Sequence, residues 1–545
     1  MRPAPRSLLR CLTHSLVALA FLATVTLPAA YAVGPPAEPT AEPTAEPTAE
    51  PTAEPNSEPA DARIPAQIQP LHDALAQLSL DPIFTSASVS VQVVDVENGQ
   101  QVYQWGDDKA LVPASTMKML TAATALRTLG PAWTFPTWVM TSGKIDDEGV
   151  LDSSLYVKGQ GDPTMATERM YRMVMDLRLQ GIKEIKGDVV FDEGYFADST
   201  LIPGWTSTED IADGPTYFAP LGALSVNYNV AAIVVRPGAA SGALAHADFE
   251  SPTPAVVLEN TLTTGSKSSR KWVKVERKVD ETGKITTFSL TGNVPLEAES
   301  DTFYKTLSDP LGNYIGVFSS ILKQQGIKVR GRMVAGTTPG GARVLVTERS
   351  QPLVNILADM NKHSNNFIAE QVVRTVGAER FGLPGTTAKG IQAISEYLTQ
   401  VGVDKADYNL VNGSGLSRGI SLKPSVLANV LVDMWNNPSV GPEFLTTLSV
   451  GGRDGTLRSR FREESMVGRV RGKTGTLNGV HCLSGYVRSQ DDHVYAFAFL
   501  VNGIDGALSR ARHAHDLLVG ALAGTGGNVV DSDGGVVGKE GVVGQ

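Results

Sequence analysis

Cysteine is all but missing from this chain of 545 residues: only Cys11 and Cys482 occur. Histidine is scarce, at eight, and a net charge of −10 leaves no excess of basic residues. Long apolar runs are missing too. The run over residues 16–27 is about a dozen long, against the roughly 20 that a membrane helix needs. Arg2, Arg6 and Arg10 precede it, and Ala30-Tyr31-Ala32 follow. A basic start, a short apolar core and small residues around a cut site predict a secretory signal over 1–32 and no transmembrane anchor in the mature chain. Cys11 precedes the apolar run, so no lipid-bearing cysteine is expected after cleavage. Cys482 then stands alone, which excludes a disulfide within the mature chain despite export. It lies in an apolar strand pattern and reads as core. The charge balance points to no nucleic-acid partner. Of the histidines only His513 and His515 are close, and two residues apart on a helix they face different ways. No metal or other cofactor is implied.

What is present is a globular composition, 42% hydrophobic and 19% charged, with length for about two to four domains. Repeats of Ala-Glu-Pro-Thr over 37–59 predict an extended linker spanning 33–63. Its glutamates carry much of the net charge, so the rest is nearer neutral. Residues 524–545, rich in Gly, Val and Asp without period, are expected to be a disordered tail. Between these ends, 64–80 reads as an amphipathic helix, and 87–95 with 101–105 as a hairpin through Glu97-Asn98-Gly99. A helix over 116–129 follows.

Residues 136–350 differ in texture. Short β-like runs recur at 154–158, 187–191, 231–236, 272–277, 286–290 and 328–334, and helices are few, 167–181 being the clearest. This segment reads as one or two β-rich modules inserted into the first domain. Helical period returns at 355–362, 367–381, 391–401 and 424–435. Three alternating runs, 469–476, 480–488 and 493–501, are parted by Asn478-Gly479 and Asp491-Asp492 and predict an antiparallel meander. A helix over 507–523 closes on its face. One α/β domain built from both ends of the chain, 64–135 and 351–523, accounts for this order.

Three short motifs carry chemistry. In the stretch 112–120, Val-Pro-Ala-Ser-Thr-Met-Lys-Met-Leu, Ser115 and Lys118 lie one helical turn apart on one face. Ser115 also sits at the positive end of the helix dipole. A lysine crowded by apolar groups and other cations loses its proton near neutral pH and can take one from the serine. The spacing alone is weak, since it recurs at Ser268–Lys271 and Ser320–Lys323. The second motif is Ser364-Asn365-Asn366, at a junction of two helices. Ser225–Asn227 repeats its pattern, but within the β-like segment. The third, Lys473-Thr474-Gly475, occurs once, on a strand, followed by Thr476. Its small residues leave an edge open for an extended substrate, and its ammonium can hold a carboxylate. His363 beside Ser364 suggests a Ser/His pair, but no Gly-x-Ser-x-Gly elbow surrounds a serine, and packing or capping explains it better.

Ser-x-x-Lys, Ser-x-Asn and Lys-Thr-Gly in this order resemble the active-site set of penicillin-binding proteins and serine β-lactamases. The long insert and the blocks Gly159-Gln-Gly-Asp-Pro163, Gly413-Ser-Gly-Leu-Ser417 and Gly472-Lys-Thr-Gly-Thr-Leu477 resemble the low-molecular-weight class C penicillin-binding proteins, D-alanyl-D-alanine carboxypeptidases and endopeptidases. The likeness spans residues 65–523. It implies a β-lactamase/transpeptidase-like α/β domain with two inserted β-rich domains, peptidoglycan peptides as substrates, β-lactam antibiotics as covalent inhibitors, and a periplasmic or extracellular, wall-associated location. It implies that Ser115 attacks, Lys118 takes its proton and Ser364 relays one to the leaving amine. Asn366, Lys473, Thr474, Gly475 and Thr476 are implied to bind substrate. Asn412 departs from the family pattern, where an aspartate is expected. A serine β-lactamase is the nearest rival, but compact β-lactamases lack the insert. A catalytically silent wall-binding protein would not keep three intact motifs.

Overall fold

Strands β1 (Ser88–Asp95) and β2 (Gln101–Trp105) form the expected hairpin, with Val91 opposite Trp105. The structure, a computed structural model, describes residues 87–524 except 107–108, 198–201, 206–212 and 505, together with 69, 72–74, 76, 80, 529–530 and 536–537. The expected signal, the linker and most of the helix at 64–80 lie outside the described residues. Near the other end of the chain, β3 (Ser449–Val450), β4 (Val470–Leu477), β5 (Val480–Arg488) and β6 (Val494–Asn502) pair antiparallel. β1 joins β6 over its whole length, Ser88 opposite Asn502 and Asp95 opposite Tyr495. One sheet of order β2-β1-β6-β5-β4-β3 thus draws on both ends of the chain.

This sheet is covered on both faces. Ala496, Ala498 and Leu500 of β6 turn to one side with Cys482 and Tyr486 of β5. They meet α1 (Lys118–Leu129), α2 (Leu353–Lys362), α3 (Asn366–Phe381), α4 (Thr387–Gln400) and α5 (Pro424–Trp435). Tyr495, Phe497 and Phe499 turn to the other side, onto Leu518 and Val519 of α6 (Leu508–Leu522). The period of two survives, but both faces are dry, which makes β5 and β6 more continuously apolar than a one-sided meander.

Helices α3, α4 and α5 start where side chains supply acceptors or where proline removes a donor. Asn365 Oδ1 accepts the Ile368 N–H at 3.0 Å ahead of α3, Thr386 does the same for Lys389 ahead of α4, and Pro424 opens α5. α3 is buried along most of its length and packs backbone to backbone on α4 through two glycines. A Cβ at Gly390 would lie 2.2 Å from the Val373 carbonyl, and one at Gly377 would lie 2.7 Å from the Gly390 nitrogen.

Residues 136–350 share two small hydrophobic clusters with α3, through Ala378 and Phe367, and hold two larger ones of their own. One lies on a five-stranded sheet that runs, in spatial order, Met333–Ala335, Val189–Asp192, Leu155–Gly159, Pro136–Thr141 and Arg343–Arg349. Helices Thr167–Leu179 and Pro310–Gln324 cover it through Met170, Met173, Val174, Phe318 and Ile321. The other cluster gathers Ile233, Val235, Phe288 and Leu290 between strands including Val230–Arg236 and Thr286–Pro295.

The first cluster is therefore mixed α/β, where a β-rich module was expected. Helix Pro310–Gln324 has proline at its start, an Asp309 cap on the Gly312 N–H at 2.9 Å, and apolar residues at helical spacing; Gly312 and Gly316 disguised it. The strand read over 328–334 is two strands in two sheets, Lys328–Val329 and Met333–Ala335. Gly331 separates them, because a Cβ there would meet the Gly187 carbonyl at 2.4 Å. Of the tail expected to be disordered, Val529–Val530 and Val536–Val537 pair antiparallel, and the rest beyond Gly524 lies outside the described residues.

Gly390→Ala forces α3 and α4 apart at their closest point. It is expected to lower unfolding free energy by ~1–3 kcal/mol, read from the denaturant midpoint at unchanged slope; an unchanged midpoint would contradict the contact.

Candidate active site

Ser115 sits in a 3₁₀ turn, Ala114–Met117, that leads directly into α1. The α-helix itself begins at Lys118, slightly later than the sequence suggests. The turn is held from several sides. Thr116 Oγ donates to the Pro113 carbonyl at 2.7 Å, and the Asn502 side chain pairs with the Val112 N–H and carbonyl at 2.9 and 3.1 Å. Ala114 has a left-handed φ of 47°, unusual for a residue with a side chain and maintained only where the surroundings over-determine it. β4 presses on this turn through Gly475. A Cβ there would lie 2.6 Å from the Pro113 carbonyl and 3.0 Å from the Ser115 nitrogen. Only glycine allows the strand that close.

The Lys118 side chain is fully buried. Its Nζ lies 3.0 Å from Ser115 Oγ, 2.7 Å from Asn366 Oδ1 and 2.6 Å from the Ser414 carbonyl. Two of these partners can only accept. A neutral amine has two N–H groups and one lone pair, so Asn366 and Ser414 take both hydrogens and leave the lone pair toward the Ser115 hydroxyl. Burial holds Lys118 well below the ordinary lysine value, the positive charge of Lys473 pushes in the same direction, and Glu370 opposes both.

Ser364 lies in the short link between α2 and α3, with a left-handed φ of 56°. That conformation turns the chain so that Ser364 and Asn366 serve different lysines. Lys473, also fully buried, donates from Nζ to Ser364 Oγ at 2.9 Å and to its neighbour's Thr474 carbonyl at 2.7 Å. Burial brings its ammonium down to about 7. Asn366 Nδ2 donates to the Tyr217 carbonyl at 3.1 Å, so the inserted segment contributes to the site. Thr474 is half-buried and Thr476 exposed on β4. Thr476 Oγ lies 3.1 Å from Nδ1 of His481, its partner across the strands.

All three motifs therefore meet in one place. The competing copies do not join them. Ser225 Oγ bonds the Gly222 carbonyl at 2.9 Å and accepts from Gln371 Nε2 of α3 at 3.4 Å, and Asn227 ties Thr167 and Ser251 together, both structural duties. Ser320 and Lys323 lie on the helix Pro310–Gln324. His515 is buried against His481, ring centroids 5.0 Å apart, and not beside His513. The Cys482 thiol is buried and pushed up to about 12 by burial.

Sequence reading missed two contributors. Glu370 is buried on α3, one turn beyond Asn366, and accepts the Ser414 N–H at 2.7 Å; the spacing from Asn366 was the available signal. The Ser414 carbonyl is a backbone atom and leaves no signal in side-chain identity. The unexpected Asn412 is fully buried, and its amide suits the place. Nδ2 donates to the Pro203 carbonyl at 2.9 Å, while Oδ1 accepts from the Gly415 N–H at 3.1 Å and from Ser414 Oγ at 3.3 Å. A carboxylate could make only the latter two contacts.

Comparison with known proteins places this geometry. Residues 71–522 match the D-Ala-D-Ala carboxypeptidase 3 (S13) family. The chain is 32% identical over 458 residues to a D-alanyl-D-alanine carboxypeptidase of Actinomadura sp. (strain R39), covering 81% of this chain and 82% of the relative. It is 24% identical over 411 residues to D-alanyl-D-alanine carboxypeptidase DacB of Haemophilus influenzae, covering 75% of this chain and 84% of the relative. The fold is similar to the crystal structure of penicillin binding protein 4 from Haemophilus influenzae. That match has a TM-score of 0.69 at 23% identity and covers 84% of this chain and 98% of the other. A second crystal structure of that protein, complexed with a novel β-lactam, matches with a TM-score of 0.65 at 23% identity and the same coverage. The chain belongs to the D-Ala-D-Ala carboxypeptidase 3 (S13) family, a group of low-molecular-weight class C penicillin-binding proteins.

Proposed function

We propose that this protein is a serine-type D-alanyl-D-alanine carboxypeptidase that cleaves peptidoglycan stem peptides through an acyl-enzyme on Ser115. Family membership supports the activity, and the observation that carries the residue roles is the Lys118 amine. It lies 3.0 Å from Ser115 Oγ, and Asn366 Oδ1 and the Ser414 carbonyl stand ready for its two hydrogens, so once neutral it offers its lone pair to that hydroxyl. Ser115 gives its proton to Lys118 as its oxygen attacks the carbonyl of the penultimate D-alanine. The N–H groups of Ser115 and Thr476 take the oxyanion, a contact typically worth ~3–4 kcal/mol per donor. Gly475 is what lets the strand carrying Thr476 approach the turn carrying Ser115. Lys473, with Thr474 and Thr476, grips the terminal carboxylate. Ser364, bonded to Lys473, relays a proton to the departing amine, and Asn366 orients both Lys118 and the substrate amide. Water then frees the acyl group. A β-lactam carries the same carboxylate and acyl carbonyl, so it would acylate Ser115 and leave slowly.

On this reading residues 64–135 and 351–523 form one transpeptidase-like unit, and 136–350 are two inserted modules. One of those modules reaches the site through Tyr217. The basic start and short apolar run at 1–32 fit export to the compartment where such peptides are found.

Two outcomes follow. Ser115→Ala is expected to abolish D-alanine release from pentapeptide stems and covalent labelling by penicillin, both read by mass spectrometry. Undiminished release, or label on another side chain, would overturn the assignment. The same digests run on cross-linked dimers read any D,D-endopeptidase activity. The second outcome concerns pH. The base must be neutral, so activity rises with pH as Lys118 loses its proton. The carboxylate grip needs the Lys473 ammonium, which burial brings to about 7 in the free enzyme, so activity falls above that. A bell-shaped kcat/KM with its alkaline limb near 7 is expected; a plateau from pH 7 to about 9 would contradict the role of Lys473.

A further inference from the structure

Of the two acceptors that orient Lys118, one is the carbonyl of Ser414, in a loop with no regular structure between the short strands Tyr408–Asn409 and Ser421–Leu422. That loop is fixed by side chains from elsewhere. Thr121 Oγ, on α1, donates to the Gly413 carbonyl at 2.8 Å. Gly415, at φ +80°, lies so close to the nucleophile's turn that a Cβ would sit 1.9 Å from the Ala114 carbonyl. The firmest hold is Glu370. Its Oε1 accepts the Ser414 N–H at 2.7 Å and its Oε2 the Gly413 N–H at 3.3 Å. Burial pushes the Glu370 carboxyl up, against the pull of its Ser414 and Gly413 bonds and of Lys118, and a donor on each oxygen suits the carboxylate. Glu370 follows Asn366 by one turn of α3, so a single helical face addresses Lys118 twice, directly through the amide and indirectly through the loop.

We propose that Glu370 is a positioning residue for the general base. Its carboxylate fixes the Ser414 peptide so that the carbonyl takes one hydrogen of the Lys118 amine, Asn366 takes the other, and the lone pair is left toward Ser115. The proposal rests on Lys118 being the base. Glu370 bonds the loop and not Ser115, so its hold on the geometry of the base runs through the Gly413 and Ser414 backbone. The charged groups around this arrangement are Lys473 on β4, whose charge disfavours the Lys118 ammonium, and Arg374, one turn beyond Glu370 on α3 and coupled to it. Glu370 acts in the opposite sense to Lys473 and favours the ammonium. It therefore contributes geometry to the base at some expense in basicity.

Glu370→Gln separates these effects. A glutamine keeps one acceptor oxygen but turns an NH₂ group toward the other loop N–H. The expected result is a fall in kcat and in the penicillin acylation rate constant of ~10–100-fold, with KM within about twofold of wild type. The acid limb of the acylation profile is expected to move to lower pH, because the carboxylate that favoured the ammonium is gone. Thr121→Val loosens the same loop without altering charge, and its acid limb is expected to stay at the wild-type pH. A Glu370→Gln enzyme with wild-type kcat would overturn the proposal, as would slowed acylation with an unmoved acid limb, or a moved limb in Thr121→Val. Should Glu370→Gln fail to fold, Glu370→Asp keeps the charge and withdraws it by one methylene. Slow acylation with a wild-type limb then supports the proposal, and wild-type acylation overturns it. Labelling of Ser115 in the wild type, run alongside, reports the nucleophile itself. Its absence would remove the reading of the site and not the role of Glu370 alone.

Discussion

Two lysine side chains are buried in one cleft, and most of what is unusual in the structure serves to keep them there. An isolated buried ammonium costs several kcal/mol. Such a group either finds acceptors or gives up its proton. Here the two lysines resolve that constraint in different ways. Lys118 has acceptors for two hydrogens and a hydroxyl at its third position, an arrangement that fits an amine. Lys473 has Ser364 Oγ and the Thr474 carbonyl, which leaves room on the ammonium for a carboxylate. Lys473 also sharpens Lys118, because its charge makes a second charge there harder to hold.

Backbone conformations that are expensive elsewhere are found around these two amines. Ala114 and Ser364 both occupy the left-handed region; Ala114 precedes Ser115, which contacts Lys118, and Ser364 contacts Lys473 itself. Gly475 and Gly415 stand where any side chain would strike the Pro113 or Ala114 carbonyl. The nucleophile's turn is pressed from two sides by chain segments that only glycine permits. Such close approach requires a rigid frame. That frame is the doubly covered sheet, with β1 joined to β6 so that the segment leading to Ser115 and the strand bearing Lys473 belong to one body.

The parts of the site that the sequence made legible are those whose chemistry rests on local spacing. Ser115 and Lys118 are separated by one helical turn, and Lys473-Thr474-Gly475 falls on an alternating strand ended by Asn478-Gly479. Both are set within a few residues of chain. The orientation of Lys118 was less legible, because it depends on the Ser414 carbonyl, nearly 300 residues away in sequence, and on the Tyr217 carbonyl, which supports Asn366. Backbone acceptors carry no residue identity. Glu370 was hidden for a related reason: a glutamate in a helix reads as a solvated face unless the helix is known to be buried all round, and α3 is. In the insert, helix Pro310–Gln324 was obscured by its glycines, and the 328–334 run appeared to be one strand because Gly331 breaks it without interrupting the apolar pattern. Asn412 illustrates the converse. The resemblance made it look like a loss, whereas its donor to Pro203 makes use of the amide.

The central claim is that Lys118 rests as an amine. Its most direct test is a titration of the Lys118 side-chain nitrogen by NMR on uniformly ¹⁵N-labelled protein, assigned by the signal lost in Lys118→Arg. The midpoint is expected well below the ordinary lysine value of 10.5, and it should rise when Lys473→Met removes the neighbouring charge. A midpoint near 10.5, unmoved by that substitution, would contradict it.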